Sequence, residues 1–411
     1  MEGNEKGNIL PSEDVFKVDA MEGAIFRRLS VAPDYSEENG GEVIATWSAS
    51  TVPVFTTGEI GAGGFRCLRY TDTATWVRLA SPAVDVAWCP FKKGNTDASF
   101  LTASRGVPLQ LWDMEDGAPR ASYCCHNSMG MPAHPHSVLW TPHRELIAAG
   151  YGGPHDNVHI RLYNVLREGH FTESYYRSPC SKGIVSALSD GPLRYRSSLI
   201  LAGFIRSGNV DVVDTRHCGA AATLHGLKSG VAQVLSHPTS DCLVYAAGRL
   251  GDDRIICWDI RKSNDVLAAF PRKLYTQQPA MFGFVHRTVG GSQQVDLVSA
   301  SHGGGVLVFD GSAQCRTGEP RRVLPELGTT SGLTVLSFST ATIAVAVGTA
   351  HYAVRDRYEE NAASASSLCG FGLKRSRSME IGGEPHSEDD IGDDDGCTEA
   401  ATIPGVAVFR V

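Results

Sequence analysis

The chain has 411 residues, 42% of them hydrophobic, and a formal net charge of −8 at pH 7. Its eleven cysteines are scattered and odd in number, which is not the composition of a disulfide-rich secreted domain. No apolar run reaches the roughly 18 residues that a membrane helix needs, and the acidic start at Met1 does not resemble a signal peptide. We therefore expect a protein of a reducing compartment, cytosol or nucleus, without a membrane partner.

The charge is concentrated in two segments. Residues 1–41 carry nine acidic and four basic residues, and residues 356–400 carry twelve acidic and four basic residues, which leaves the rest of the chain at +5. The first segment is rich in Gly, Glu and Asn, and we predict a mostly disordered acidic tail over 1–41, with a short segment around 16–29 that packs on the folded body. A mildly basic body is compatible with the binding of a polyanionic partner.

The first predicted strands follow this tail. Segments 43–48 and 52–55 read as the first two strands of a unit that closes with 65–70, and a glycine-rich turn at 61–64 joins two of them. That turn lacks the Lys-Ser/Thr of a phosphate-binding loop. A second unit opens at 83–90 and ends at Trp112-Asp113.

One sequence pattern then recurs along the chain. It consists of a strand ending in small residues, a polar turn, and a strand ending in an aromatic or aliphatic residue before Asp or Asn, most completely at Ala246–Asp259. The residue before that final Asp or Asn falls at 112, 163, 213, 258 and 309, at intervals of 51, 50, 45 and 51 residues. With the strands at 65–70 and 406–411, this gives seven closing strands.

Repeats of this length and pattern predict an all-β fold, a seven-bladed WD40-type β-propeller over 42–411. A single four-stranded sheet buries little apolar surface by itself, whereas radially arranged sheets cover the faces of their neighbours. Small residues such as Ala202, Ala247, Gly248 and Ala300 are expected where the sheets crowd together. The alternative is a β-sandwich or two stacked β-domains.

A His-rich region and a low-complexity segment interrupt the repeats. Cys124 and Cys125 precede several histidines, but adjacent cysteines and these His spacings do not match a structural zinc site, so we expect loop or strand-end roles and no metal. Residues 355–400 combine serines with the basic cluster 374–378 and the acidic run 388–395. We predict that they form a disordered insertion in the last blade, either a modification or localisation segment or an unconstrained loop.

The chain shows none of the common catalytic motifs, and the Asp residues that close the repeats read as turn residues, so we expect a non-catalytic binding platform without a cofactor. A basic or His residue recurs after the second strand of several units. Loops at equivalent positions open on one face of a propeller, which predicts a ring that contacts RNA phosphates and bases. Alternatively, each arginine pairs locally with a carboxylate such as Asp252 or Asp253. The predicted RNA-binding residues are Arg105, Arg206, Arg249, His302 and His351.

Two stretches resemble a known family. The segment 102–123, with Leu-Gln-Leu-Trp-Asp followed by Gly-Ala-Pro-Arg, is similar to the second blade of the telomerase Cajal body protein family. The segment 230–262, with Ser-His-Pro and Ile-Cys-Trp-Asp-Ile-Arg-Lys, is similar to its fifth blade. The resemblance spans about 42–411. It departs at Leu227, where that family carries a histidine, and in the turn from Arg249 to Trp258, which is one residue longer.

The resemblance implies a partner and a location. It implies binding of small nuclear (Cajal-body type) RNA or telomerase RNA, association with telomerase or small RNP proteins, folding by the cytosolic chaperonin, and residence in the nucleus, including Cajal bodies, with a cytoplasmic pool. We expect a monomer. The alternative is a WD40 scaffold that binds proteins and no RNA.

Overall fold

The computed structural model is built from β-strands, with short 3₁₀ helices at Leu193–Tyr195 and Ile260–Lys262. No helix among the residues it describes is long and apolar enough to span a membrane. The described residues are 27–32, 42–46, 51–52, 54–60, 66–70, 77–90, 99–114, 116–143, 145–153, 156–169, 174–289, 292–311, 320–323, 329–337, 341–347 and 405–410.

The first sheet begins earlier than the sequence predicts. Its strands lie in the order β1, β2, β4, β5, with the bounds Arg28–Val31, Glu42–Thr46, Val54–Ile60 and Arg66–Tyr70. The prediction of a tail over 1–41 is therefore wrong for 28–31, and 66–70 is the fourth strand of its sheet rather than the third. Four residues are too few for alternation to be recognised, although Leu29 is buried as a strand residue should be.

Five four-stranded antiparallel sheets follow in chain order. The second contains β7 Ala83–Trp88, β8 Ser99–Ser104, β9 Leu109–Asp113 and β10 Pro119–Tyr123. The third contains β13 Ser137–Trp140, β14 Leu146–Gly150, β15 Ile160–Asn164 and β16 Ser174–Tyr176. The fourth contains β17 Val185–Asp190, β18 Leu199–Phe204, β19 Val210–Asp214 and β20 Gly219–Leu224. The fifth contains β21 Val231–Ser236, β22 Leu243–Gly248, β23 Arg254–Asp259 and β24 Val266–Pro271. The sixth contains β25 Phe282–Val289, β26 Ser292–Ala300, β27 Val306–Phe309 and β28 Arg321–Val323.

A seventh sheet has three described strands, and two small ribbons complete the set. The seventh sheet contains β29 Thr330–Ser337, β30 Thr342–Val347 and β31 Gly405–Arg410. The ribbons pair β3 Thr51–Val52 with β6 Val77–Arg78, and β11 Cys125–His126 with β12 Pro132–Ala133. The segment 355–400, predicted to be an insertion in the last blade, lies outside the described residues.

Burial within a sheet falls from its inner strands to its last strand. All six residues of β22 and the four central residues of β23 are buried, whereas β24 exposes half of its residues. Aromatic side chains of the fifth and sixth sheets fill the space between them, including Tyr245, Phe270 and Phe284. This apolar burial is the main stabilising contribution to the stack, at ~25 cal/mol per Å².

Hydrogen bonds connect the first strands of neighbouring sheets. Ser137 Oγ donates to Val185 O at 2.8 Å, and Ser186 Oγ donates to Val231 O at 2.6 Å. The amide of Gln233 bonds the backbone of Phe282 in both directions, at 2.7 and 3.0 Å.

Three further links continue this pattern. Asp85 on β7 accepts from Arg28 on β1 and, at 2.9 Å, from Val138 N on β13. Met281 N donates to Ser331 O at 2.8 Å, and β29 in turn lies against β1. Residues of six first strands, β1, β7, β17, β21, β25 and β29, line a cavity of about 770 Å³. The all-β architecture of four-stranded sheets predicted from the sequence is thus confirmed.

Candidate nucleic-acid interface

The antiparallel order of the sheets brings two kinds of loop to the same edge. In each sheet the loop after the second strand and the segment before the first strand lie at one end, which we call the upper edge. Arg105 directly follows β8, and Arg249 directly follows β22. Arg206 and His302 each lie two residues beyond their second strand. His351 lies outside the described residues.

Arg249 is mostly buried and has no carboxylate partner among the described residues. Its Nε makes no hydrogen bond, and burial lowers the pKa of the guanidinium, followed by the positive charges of Arg28 and Arg27. Asp252 is already occupied, since it accepts from Arg254 Nε at 2.6 Å and from Lys228 N at 2.6 Å. The local pairing of Arg249 with Asp252, considered from the sequence, therefore does not occur.

Arg105 brings the second positive charge to this edge. Its side chain is exposed, and its guanidinium makes no hydrogen bond or ion pair with a described residue, while its carbonyl accepts from Ser81 Oγ at 2.7 Å. Burial lowers the pKa of Arg27, and the charge of Arg105 lowers it further. The charge of Arg27 thus interacts with that of Arg105 and with that of Arg249. We call these three residues the cationic cluster.

Two histidines border the cationic cluster. The rings of His134 and His136 meet edge to face with 4.9 Å between their centroids. Burial lowers the pKa of His136 to about 4, with smaller contributions from His134 and Arg105, and burial followed by Arg105 lowers the pKa of His134. Both rings are therefore neutral at pH 7 and can donate or accept a hydrogen bond.

Arg28 does not add to the net charge of this edge. Asp85 pairs with it, and the same carboxylate accepts Val86 N and Val138 N at 2.9 Å each. Burial raises the pKa of Asp85, and Arg28 together with these N–H donors counteracts that rise. The carboxylate thus stabilises the junction of three sheets and balances Arg28.

Arg206 and His302 differ in their exposure. Arg206 is exposed in the loop that follows β18. His302 is buried, and its Nδ1 accepts from Tyr275 N and Thr276 N at 3.1 and 3.4 Å. Burial lowers the pKa of His302 to about 4. The ring of His302 therefore faces the protein rather than the surface, and its role in RNA binding stays a prediction.

Sequence reasoning missed Arg27, which it assigned to the tail, and it expected only loop or strand-end roles for histidines such as His134 and His136. No group of three or more His, Cys, Asp or Glu among the described residues could hold a metal ion. Three guanidinium groups with few competing carboxylates can bind phosphates, and guanidinium planes can stack on exposed bases. No local signal marks Arg27, because the strand that follows it is defined by its pairing with the distant segment Val43–Thr46.

The chain is similar to curated proteins named telomerase Cajal body protein 1. It is 24% identical to the protein from Bos taurus over 278 residues, which cover 65% of this chain and 48% of that protein. It is 26% identical to the Homo sapiens protein over 279 residues, with the same two shares, and 26% identical to the Rattus norvegicus protein over 248 residues, or 58% and 43%. The chain spans about half the length of these relatives. No family model matches the chain. The resemblance seen in the sequence is confirmed.

Proposed function

We propose that this chain is a non-catalytic WD40-type scaffold that binds RNA of the small nuclear or telomerase class through Arg27, Arg105 and Arg249. The proposal rests on one observation: these positive charges lie together at one edge of the sheets without carboxylate partners among the described residues. Phosphates would supply the missing counter-charge. The name shared by the similar proteins suggests a telomerase-related RNA and a role in RNP localisation or assembly.

The fold that carries this site is proposed to be a closed ring of seven blades. The links described above run from β1 through β7, β13, β17, β21 and β25 to β29, and β29 lies against β1. Equivalent loops of such a ring face a common mouth, which places cations from distant parts of the chain around one ligand. Arg206 and His351 remain predicted RNA contacts within this proposal.

RNA affinity and its salt dependence test this proposal. Each phosphate contact with single-stranded RNA contributes roughly −0.7 to the slope of log K against log salt concentration. In fluorescence anisotropy with a labelled RNA hairpin carrying an unpaired loop, R105A/R249A should weaken binding and reduce the slope by about 1.4. Arg216→Ala is the matched control, because Arg216 is exposed and pairs with Asp214 at the opposite edge.

The proposal fails if the double variant binds as tightly as the parent between roughly 50 and 200 mM salt. It also fails if Arg216→Ala produces the same loss. The alternative, a scaffold that takes a peptide, would be supported by crosslinking from cells that recovers proteins and no RNA. Nuclear and Cajal-body residence, a cytoplasmic pool, telomerase or small RNP protein partners and chaperonin-assisted folding belong to the same proposal, and imaging of the tagged chain tests the location.

A further inference from the structure

Next to Arg249 lies an extended segment, 272–277, that alternates buried and exposed residues. It follows Pro271, the last residue of β24, and is not itself paired as a strand. Its exposed residues are Lys273, Tyr275 and Gln277, and its buried residues are Arg272, Leu274 and Thr276. One face of the segment therefore presents a cation, an aromatic ring and an amide in sequence. Tyr275 is 42% exposed, so its ring is accessible to a ligand.

The buried face of the segment is fixed by the loop that carries Arg249. Arg272 is fully buried and donates to the carbonyls of Gly248, at 3.0 Å, and Ala280. Its backbone N–H donates to Asp253 O at 2.9 Å, and the Asp253 carboxylate accepts the N–H of Leu274. The segment is thus attached to the turn that follows β22.

The other side of the segment is fixed by His302, from the loop that follows β26. The N–H of His302 donates to Lys273 O at 3.1 Å, and its Nδ1 accepts the N–H groups of Tyr275 and Thr276. An acceptor Nδ1 requires the neutral ring with its proton on Nε2. His302 therefore orients the backbone directly beneath the exposed ring of Tyr275.

We propose that Lys273, Tyr275 and Gln277 form a nucleotide-binding strip, in which an unpaired base stacks on Tyr275, Lys273 contacts the adjacent phosphate, and Gln277 bonds the base edge. This inference rests on the proposed RNA-binding function and continues the cationic cluster outward from Arg249. Unpaired bases are read by stacking on aromatic rings and by hydrogen bonds to their edges. A strip that is already rigid loses little conformational entropy on binding. His302 is its positioning residue.

Base stacking and charge can be separated with two probes of equal length, oligoadenosine RNA and abasic RNA. Tyr275→Ala should weaken binding of oligoadenosine by about 5- to 150-fold and leave abasic RNA and the salt slope unchanged. Tyr275→Phe and Tyr275→Trp should retain binding. Tyr195→Ala is the matched control, because Tyr195 is 40% exposed and lies in the loop between β17 and β18, at the opposite edge.

A double-variant cycle tests the role of His302. His302→Ala should weaken binding of oligoadenosine and not of abasic RNA, and it should add nothing in the Tyr275→Ala background. Near-UV circular dichroism verifies that each variant is folded.

The outcomes distinguish this inference from the proposed function. The strip is refuted if Tyr275→Ala weakens the affinity for both probes by the same factor. It is also refuted if Tyr275→Ala leaves both affinities unchanged while R105A/R249A weakens binding. In either case the proposed function stands. If the parent chain binds neither probe nor the loop hairpin, the proposed function fails as well. Binding of a peptide library at Tyr275 instead of RNA would also refute the strip.

Discussion

Replacing Asp85 with Asn should destabilise the protein far more than an ordinary surface change. Asp85 is 1% exposed, and its two oxygens accept from Arg28, Val86 N and Val138 N, which belong to three sheets. An asparagine keeps the shape but removes the charge that balances Arg28. It also points an N–H₂ group at one of these donors.

The magnitude follows from what is left unpaired. Breaking a buried ion pair by removing one partner costs about 3–5 kcal/mol. One backbone N–H left without an acceptor costs about 1–3 kcal/mol more. The side chain of Arg28 is 18% exposed, so partial hydration of its guanidinium places the expected loss near the lower end of the combined range, about 4–5 kcal/mol.

Urea unfolding followed by tryptophan fluorescence measures this loss. The midpoint should fall while the slope m stays constant, because the unfolded surface is unchanged. Arg28→Met alone should also destabilise, and D85N/R28M should lose less than the sum of the single variants, since neither charge is then left alone. A loss below about 1 kcal/mol for D85N, or strict additivity in the cycle, would refute the assigned role of this junction.

Three further changes have expected outcomes. In Gly203→Ala the new Cβ would lie 2.4 Å from Val231 Cγ1, so we expect a loss of about 1–3 kcal/mol that Val231→Ala partly restores, measured by thermal unfolding. Burial lowers the pKa of His237 and of His302 to about 4 each, so the folded state holds both rings neutral. The contribution of these two neutral rings to the free energy of unfolding is complete above pH 6.5. It should fall by up to about 3 kcal/mol for each histidine as the pH decreases to 4, because the unfolded chain then binds the protons. His302→Gln should reduce this pH-dependent loss of stability, and a variant with the same pH profile as the parent would contradict the prediction. Trp258→Phe removes a buried indole whose N–H donates at 2.8 Å, which should cost about 2–3 kcal/mol in urea unfolding, and a loss below 1 kcal/mol would oppose it.

The repeat pattern predicted the sheets well where local sequence carries the information. The segment Arg254–Asp259 is the strand β23 that its hydrophobic run and terminal Trp-Asp indicate, and Cys257 inside it is fully buried, as a small hydrophobe should be. Asp259 is also the turn residue predicted, because its carboxylate accepts Arg261 N at the start of the 3₁₀ helix. In contrast, Arg28–Val31 joins its sheet through pairing with a segment more than ten residues away, which no local period reveals.

The site was predicted in part for the same reason. Equivalence of repeat positions identified Arg105 and Arg249, and their role in RNA binding remains a prediction. Their surroundings depend on contacts between distant segments, such as the charge of Arg27 beside Arg105. His302 occupies the expected loop, but its orientation follows from the backbone of 275–276, and this could not be read from the sequence.

The carboxylates at the upper edge explain why the cationic cluster is available to a ligand. Asp85 is used at the junction of three sheets, and Asp252 is used by Arg254 and Lys228 N within its own turn. Each carboxylate therefore stabilises the fold, and neither accepts a hydrogen bond from Arg27, Arg105 or Arg249 among the described residues. Like charges held together lower the free energy of unfolding, and the shifted pKa values of Arg27 and Arg249 reflect that repulsion together with burial. An anion at this edge would relieve the repulsion, so polyphosphate or RNA should raise the Tm of the parent chain more than that of R105A/R249A.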